Sequence, residues 1–541
     1  MKRMLFTLIL GTLIPVADFG HQAQTDLILL NGKVFTADPA NQYAQAIAIR
    51  GDRIIAVGTA AEINALAGPK TRRIDLQGRL VIPGINDAHY HHTPDAPGRQ
   101  LQFKSIEPDW QEVLDAIGQA VKQTPKGTWI FGTVGLAVVT EPQATRFVLD
   151  RIAPDHPVML RAYFGHGNII NSRAMPALGL TEEAPDPVGG YFERVVGSKR
   201  INGRSFEYAD WQLSRRLAGT VSDEAAIKSI RALADEAVRY GITSIQNMPM
   251  LSVERYVHLL EKAAVPIRVR VIRFPMTDVK GRDLREGINL QPISSPFIHV
   301  SGTKWILDGT PLERGAALRR PYRDRPGWSG RLNFSNREIA SMLRESLARK
   351  DQLLVHCAGD KPVDVLFNAM EGTRAQVDWT KLRVRVEHGD GVVGDLIPRA
   401  RRLGVVVVQN PSHFTLTDII PSRYSSNNEF FPLRSLLEAK IPVAFGSDGP
   451  LNPYLNVMFA VTHPVRPTEA ITREQAIEAY TRGSAYAEHA EQEKGSIAKG
   501  KLADLAVLSQ NIFTVSLGDL PKTRSVLTII GGKIIYDIAS L

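Results

Sequence analysis

The chain reads as an α/β protein, a (β/α)8 TIM-type barrel with a small discontinuous β-sandwich domain built from both termini. Three observations predict this. Amphipathic helix patterns followed by short apolar runs recur through the middle of the chain, short strand patterns with turn residues occupy both ends, and metal-competent side chains close several of the apolar runs.

The N-terminal strand patterns are Leu27 to Leu30 before Asn31-Gly32, Ala46 to Ile49 before Arg50-Gly51-Asp52, and Ile54 to Val57 before Gly58. The C-terminal ones are Ala503 to Leu508 and Val526 to Ile535, broken by Gly531-Gly532. Residues 24–82 and 495–541 are therefore assigned to one β-sandwich, and residues 83–494 to the barrel. In the barrel, Ser222 caps a helix whose Ile227, Ile230, Leu233, Ala234, Ala237 and Val238 form one stripe, Gly241 ends it, and Ile242 to Ile245 follows as a buried strand. The pattern recurs from Asn336 through Leu347 into Leu353 to Cys357, and from Ser435 to Lys440 into Ile441 to Phe445. Residues from about 93 to 240 exceed one crossover and read as an insertion on the loop face, where insertions shape the substrate pocket.

At 541 residues the chain has room for both domains, and 44 % hydrophobic with 22 % charged residues is an ordinary globular balance. The net charge of +9 is spread along the chain, and short clusters such as Arg399 to Arg402 read as solvated helix faces, so no nucleic-acid partner is expected. Lys2 and Arg3, an apolar run from Met4 to Val16 and polar residues to Gln24 have the layout of a signal peptide over residues 1–23. This predicts an exported protein, periplasmic or secreted, with no membrane span in the mature chain. The single cysteine, Cys357, rules out an intrachain disulfide.

The chemistry begins at Val81-Ile82-Pro83-Gly84-Ile85-Asn86-Asp87-Ala88-His89-Tyr90-His91. Positions i and i+2 of a strand face the same side, so His89 and His91 can bind one cation. Three further metal-competent residues close apolar strand patterns: His356 after Leu353 to Val355, His388 after Val384 to Glu387, and Asp448 after Val443 to Ser447. In a parallel barrel such strand ends converge on one face, which makes these five positions a metal centre. His92 and Cys357 lie on the opposite strand phase from His91 and His356 and are not read as nucleophiles.

Taken in order, these segments resemble the amidohydrolase superfamily, and more closely its family-3 branch, which includes metal-dependent hydrolases of the N-substituted formamide deformylase kind. The resemblance adds the Asn171-Ser172 region, Lys304 to Gly309, His356 to Asp360, Glu387-His388, Gly446-Ser447-Asp448 and the closing Gly495 to Asp504, and spans nearly the whole chain after the leader. It departs from the pattern at Asn86 and Tyr90, and at the polar Asn410 to His413 segment. By this resemblance Lys304 is the strand-four lysine that becomes N6-carboxylated and bridges two divalent metals. His89, His91, Lys304 and Asp448 would hold one ion, and Lys304, His356 and His388 a second, with zinc suited to this N/O set; a one-metal site without the bridge stays open.

The function implied is hydrolysis of an amide-like C–N bond in an N-acyl or N-formyl amine by metal-activated hydroxide, with Asp448 as the catalytic proton carrier. His166, ahead of the Asn-Ser pair, is a candidate substrate contact, and so is Arg314 for an acidic group, against the plainer reading of Arg314 as a loop salt bridge. A deaminase is the nearest alternative, but Gly359 stands where adenosine-deaminase-like members carry a glutamate. A lactonase or esterase would use the same ions, and an inactive exported binding protein is the alternative of another class. The partner expected is a small-molecule substrate; homo-oligomerisation is left open.

Overall fold

The structure, a computed structural model, describes residues 25–424 and 429–538. The leader proposed over residues 1–23 lies outside the described residues. Eight strands form one sheet: β1 Ile85–Tyr90, β2 Ile242–Asn247, β3 Arg268–Arg273, β4 Ile298–Ile306, β5 Leu353–Cys357, β6 Arg385–His388, β7 Val406–Gln409 and β8 Val443–Phe445. They are ordered sequentially from β1 to β8, and every neighbouring pair is parallel. Just past β8 the chain returns to β1, where the Asp448 N–H donates to the His89 carbonyl at 3.1 Å and the Ser447 N–H to Asp87 Oδ1 at 3.0 Å. The sheet thus curls into a nearly closed barrel whose strand ends share one mouth.

The crossover helices follow from the residues that start and stop them. Ser222 accepts from the Ala225 N–H and opens helix Asp223–Arg239, which buries Ile230, Leu233, Ala234, Ala237 and Val238. Gly241, at φ +76°, then turns the chain into β2. Ser335 and Glu338 form a capping box at the start of helix Asn336–Arg349, which leads to β5.

Both termini contribute to the flanking sheets. In a six-stranded sheet Leu505–Leu508 pairs antiparallel with Leu80–Pro83, and Ser525–Ile530 and Lys33–Phe35 continue it on either side. A four-stranded sheet of Leu27–Leu30, Ala46–Arg50, Arg53–Gly58 and Arg72–Asp75 shares an apolar cluster with it through Leu29, Val34, Ile47, Val81, Leu505 and Leu527. Asp504 ties this layer to the barrel through paired hydrogen bonds from Arg268 on β3, at 2.7 and 3.1 Å.

Between β1 and β2 the chain builds a further six-stranded sheet, ordered Gly190–Arg194, Ile201–Glu207, Gly167–Ile170, Val158–Ala162, Ile130–Val134 and Arg99–Gln100. It has its own apolar cluster, with Val113, Ile117, Leu149 and Leu160 among its members. Helix Asp223–Arg239 packs instead on β2 and on helix Val253–Ala263, so it belongs with the barrel's outer layer.

Closure of the barrel depends on Gly446. A Cβ there would lie 2.3 Å from His89 Cβ and 2.5 Å from His89 N, which only a shift of β1 could relieve. Gly446→Ala is expected to cost about 3 kcal/mol by overpacking against backbone, read as a lower denaturant midpoint, with weakened metal binding because His89 rides on the displaced strand.

Candidate metal centre

His89 and His91 leave the end of β1 with their rings fixed from behind. His89 is fully buried, and its Nδ1 lies 2.6 Å from Glu387 Oε2. His91 Nδ1 lies 2.9 Å from the Met248 carbonyl. A carboxylate and a carbonyl are acceptors, so both Nδ1 atoms carry the proton and both Nε2 atoms carry lone pairs. Those Nε2 atoms face each other at 3.2 Å. Two lone pairs at that distance repel unless a cation lies between them, so the donor set fits a metal ion.

The other donors surround this point. Asp448 Oδ2 is 3.8 Å from both His89 Nε2 and His388 Nδ1, and Asp448 Oδ1 is 4.0 Å from His91 Nε2. These spacings are too long for hydrogen bonds, but two donors each about 2.0–2.2 Å from one ion can stand that far apart. His388 and Asp448 have φ of +66° and +41°, a region that non-glycine residues seldom occupy and that clusters at functional sites. The His356 ring is 4.3 Å from that of His388, and its Nε2 is 3.3 Å from the Gly309 carbonyl. His413, in the polar segment after β7, stacks on His388 at 5.5 Å and approaches Asp448 to 3.8 Å.

Lys304 projects from β4 and is fully buried. Its Nζ lies 3.7 Å from Met248 Sδ, and among the described residues no carboxylate approaches it within 4.0 Å. Burial lowers Lys304 to about 8, against the pull of Glu387 and Asp448. Glu387 shows the opposite balance. Burial would favour its acid form, but the charge of Arg385 and the bond to His89 hold it well below the usual carboxylate range. Arg385 Nε is 2.8 Å from Glu387 Oε1, and Arg385 Nη2 also donates to the Ala88 carbonyl at 2.7 Å. Glu387→Gln is expected to weaken metal binding about 10–100-fold, since such carboxylates orient the ligand imidazole; isothermal titration of the demetallated protein measures it.

All six residues read from the sequence as ligands therefore sit at one mouth. The two proposed substrate contacts do not share a fate. His166 lines the same pocket, with its ring 4.9 Å from that of His356. Arg314 does not line it: its guanidinium pairs with Asp324 at 2.8 and 3.2 Å in the loop after β4, the plainer of the two roles read for it. His92 bonds Tyr256 and Ser229, each at 3.0 Å, and Cys357 is buried. No sequence motif marks a role for Arg385 or His413, and Glu387 enters only as part of the Glu387-His388 motif. The i, i+2 spacing of Arg385 and Glu387, which puts both on one side of β6, was the available signal.

The pocket over these residues has a volume of about 510 Å³, and Tyr163, Phe164, Trp211, Phe274 and Phe431 contribute aromatic walls. The inserted layer supplies the first three. The model of the amidohydrolase family matches residues 72–536. The chain belongs to the amidohydrolase family. The match reaches from the terminal sheets across the whole barrel. Among relatives, N-substituted formamide deformylase of Arthrobacter pascens is 26 % identical over 539 residues, covering 95 % of this chain and 98 % of its own. The protein LONG AFTER FAR-RED 3 of Arabidopsis thaliana is 26 % identical over 541 residues, covering 94 % and 91 %. Among solved structures, a metal-dependent hydrolase of Pyrococcus horikoshii superposes with a TM-score of 0.69 at 22 % identity, covering 91 % of this chain and 99 % of that one, and shares the fold.

Proposed function

We propose that this amidohydrolase uses zinc to hydrolyse the C–N bond of an uncharged N-formyl or N-acyl amine with an apolar substituent. The convergence of the His89 and His91 Nε2 lone pairs beside Asp448 carries the reading. His89, His91 and Asp448 would hold one ion, and His356 and His388 a second. Lys304 would join them as a carbamate: its neutral amine adds to carbon dioxide, forming an N–C bond, releasing one proton and leaving an anion where an ammonium would repel both ions. The lowered pKa of Lys304 and the absence, among the described residues, of a carboxylate in ion-pair contact with its Nζ support this. When bound, zinc supplies an acidified water and polarises the substrate carbonyl.

The chain's own residues do the rest. Burial favours the acid form of Asp448, but the facing imidazoles of His89, His91 and His413 hold it at about 2, so it is ionised at neutral pH. It can take a proton from the attacking water and give it to the departing amine nitrogen. The aromatic walls exclude water and receive the apolar substituent. With Arg314 bound to Asp324, no guanidinium among the described residues lines the pocket to receive a carboxylate, which favours a neutral substrate over an N-acyl amino acid. The similarity to a formamide deformylase points to the same bond. Export rests on the leader pattern of residues 1–23 alone.

A panel of N-alkyl and N-aryl formamides and acetamides, N-acyl amino acids, lactones and aminopurines tests the reading. Amine release from neutral amides, abolished by chelation, is expected. Turnover confined to lactones or aminopurines would replace the reading with one of its alternatives.

A further inference from the structure

One buried pair beside the metal donors has no part in holding them. His166 Nδ1 lies 2.8 Å from Glu207 Oε1, and Asn333 Nδ2 donates to Glu207 Oε2 at 2.8 Å, so both oxygens of this carboxylate are occupied. His166 Nε2 has no hydrogen-bond partner among the described residues, and its ring lines the pocket 4.9 Å from His356. The arrangement repeats that of His89 and Glu387: a carboxylate fixes Nδ1 and leaves Nε2 for another partner.

Glu207 is held at some cost. It forms the elbow between strand Ile201–Glu207 and helix Tyr208–Ala218, with φ +56° and ψ −133°, a conformation normally left to glycine. Gly309, after β4, makes room for it: a Cβ there would lie 2.5 Å from Glu313 Oε1 and 3.0 Å from Glu207 Oε1. Asn333 Nδ2 also reaches the Ile306 carbonyl at the end of β4, at 3.2 Å, so the barrel itself braces Glu207. On the other side, Trp211 Nε1 donates to the Gly165 carbonyl at 2.9 Å and its ring meets that of His166 edge-on at 5.2 Å, fixing the loop that carries the imidazole. Strain, glycine clearance and bracing from two layers all serve the orientation of one ring.

The geometry points to His166 as a catalytic residue that hydrogen-bonds the scissile amide through Nε2, with Glu207, braced by Asn333, as its positioning residue. The inference rests on the amide-hydrolase reading. An amide offers a carbonyl oxygen and an N–H at its reacting centre, and a ring nitrogen held beside the metal donors orients either one against them. The dyad comes from the inserted layer, so this layer supplies part of the reacting geometry as well as the pocket wall.

The test uses the full-length zinc-loaded protein with His166→Gln and Glu207→Gln. On a formamide turned over by the wild type, kcat should fall about 100-fold in the first and about 10-fold in the second. KM should stay within about three-fold, as for an interaction made mainly in the transition state, and zinc content should not change. In spectra of the [15N]histidine-labelled protein, the His166 signals, assigned by their loss in His166→Gln, should shift in Glu207→Gln and on addition of N-butylformamide. Unchanged kcat in either variant with zinc retained overturns the inference, and so does loss of zinc from His166→Gln, which would make His166 a ligand. If the wild type hydrolyses no amide, the hydrolase reading fails. The spectra then decide alone: His166 signals indifferent to both Glu207→Gln and saturating N-butylformamide overturn the dyad, and signals that respond to both uphold it.

Discussion

Asp448→Asn is expected to lower kcat by about 10³–10⁴-fold on any substrate that the wild type hydrolyses, near the upper end of what a positioned acid–base group contributes. The side chain sits within 4.0 Å of His89, His91, His388 and His413, so in the proposed mechanism it would touch both the ion and the reacting water. An asparagine keeps the shape and one oxygen donor but cannot carry a proton from water to amine. Because Asp448 is held at about 2, its ionisation leaves the rate flat between about pH 5 and 8, and an acid limb there belongs to another group. A kcat within ten-fold of wild type, with full metal content, would remove Asp448 from the proton path.

Lys304→Ala is expected to reduce bound zinc from two equivalents to one or none and to take turnover with it. Loss of the proposed bridging anion would leave two cations facing each other across a buried site, and Coulomb repulsion at low effective dielectric would expel at least one. The substitution also leaves a void among Met248 and the ring donors, so the melting temperature of the demetallated protein is needed to separate packing from ligation. If the variant keeps its full zinc complement, Lys304 is a buried amine and not a bridge.

The ligand residues were legible because each closes an apolar strand run, and a parallel barrel puts all such ends at one mouth: His356 and His388 lie in the last residues of β5 and β6, and Asp448 comes three residues after β8. The His89-x-His91 pair follows from the two-residue period of a strand. The layers were legible for a similar reason, since Leu505 to Leu508 carries the apolar signature of a strand and finds Leu80–Pro83 as its partner. The function of Glu387 was not legible, because nothing in sequence says that its carboxylate meets a ring 298 positions away. Glu207 and Asn333 were hidden more deeply. They come from the inserted layer and from the loop before helix Asn336–Arg349, with no shared period, and converge only once that layer has folded against β4. Arg314 marks the opposite case: a cation near strand-end chemistry suggests an anion site, while its partner Asp324, ten residues on, satisfies it within the loop.

The most direct test of the metal-dependent mechanism is turnover of one N-substituted formamide by demetallated protein as zinc is added back. No hydrolysis is expected without metal, and the rate should rise with zinc and saturate at two equivalents per chain. Amide hydrolysis that proceeds at its full rate in the chelated protein would contradict it.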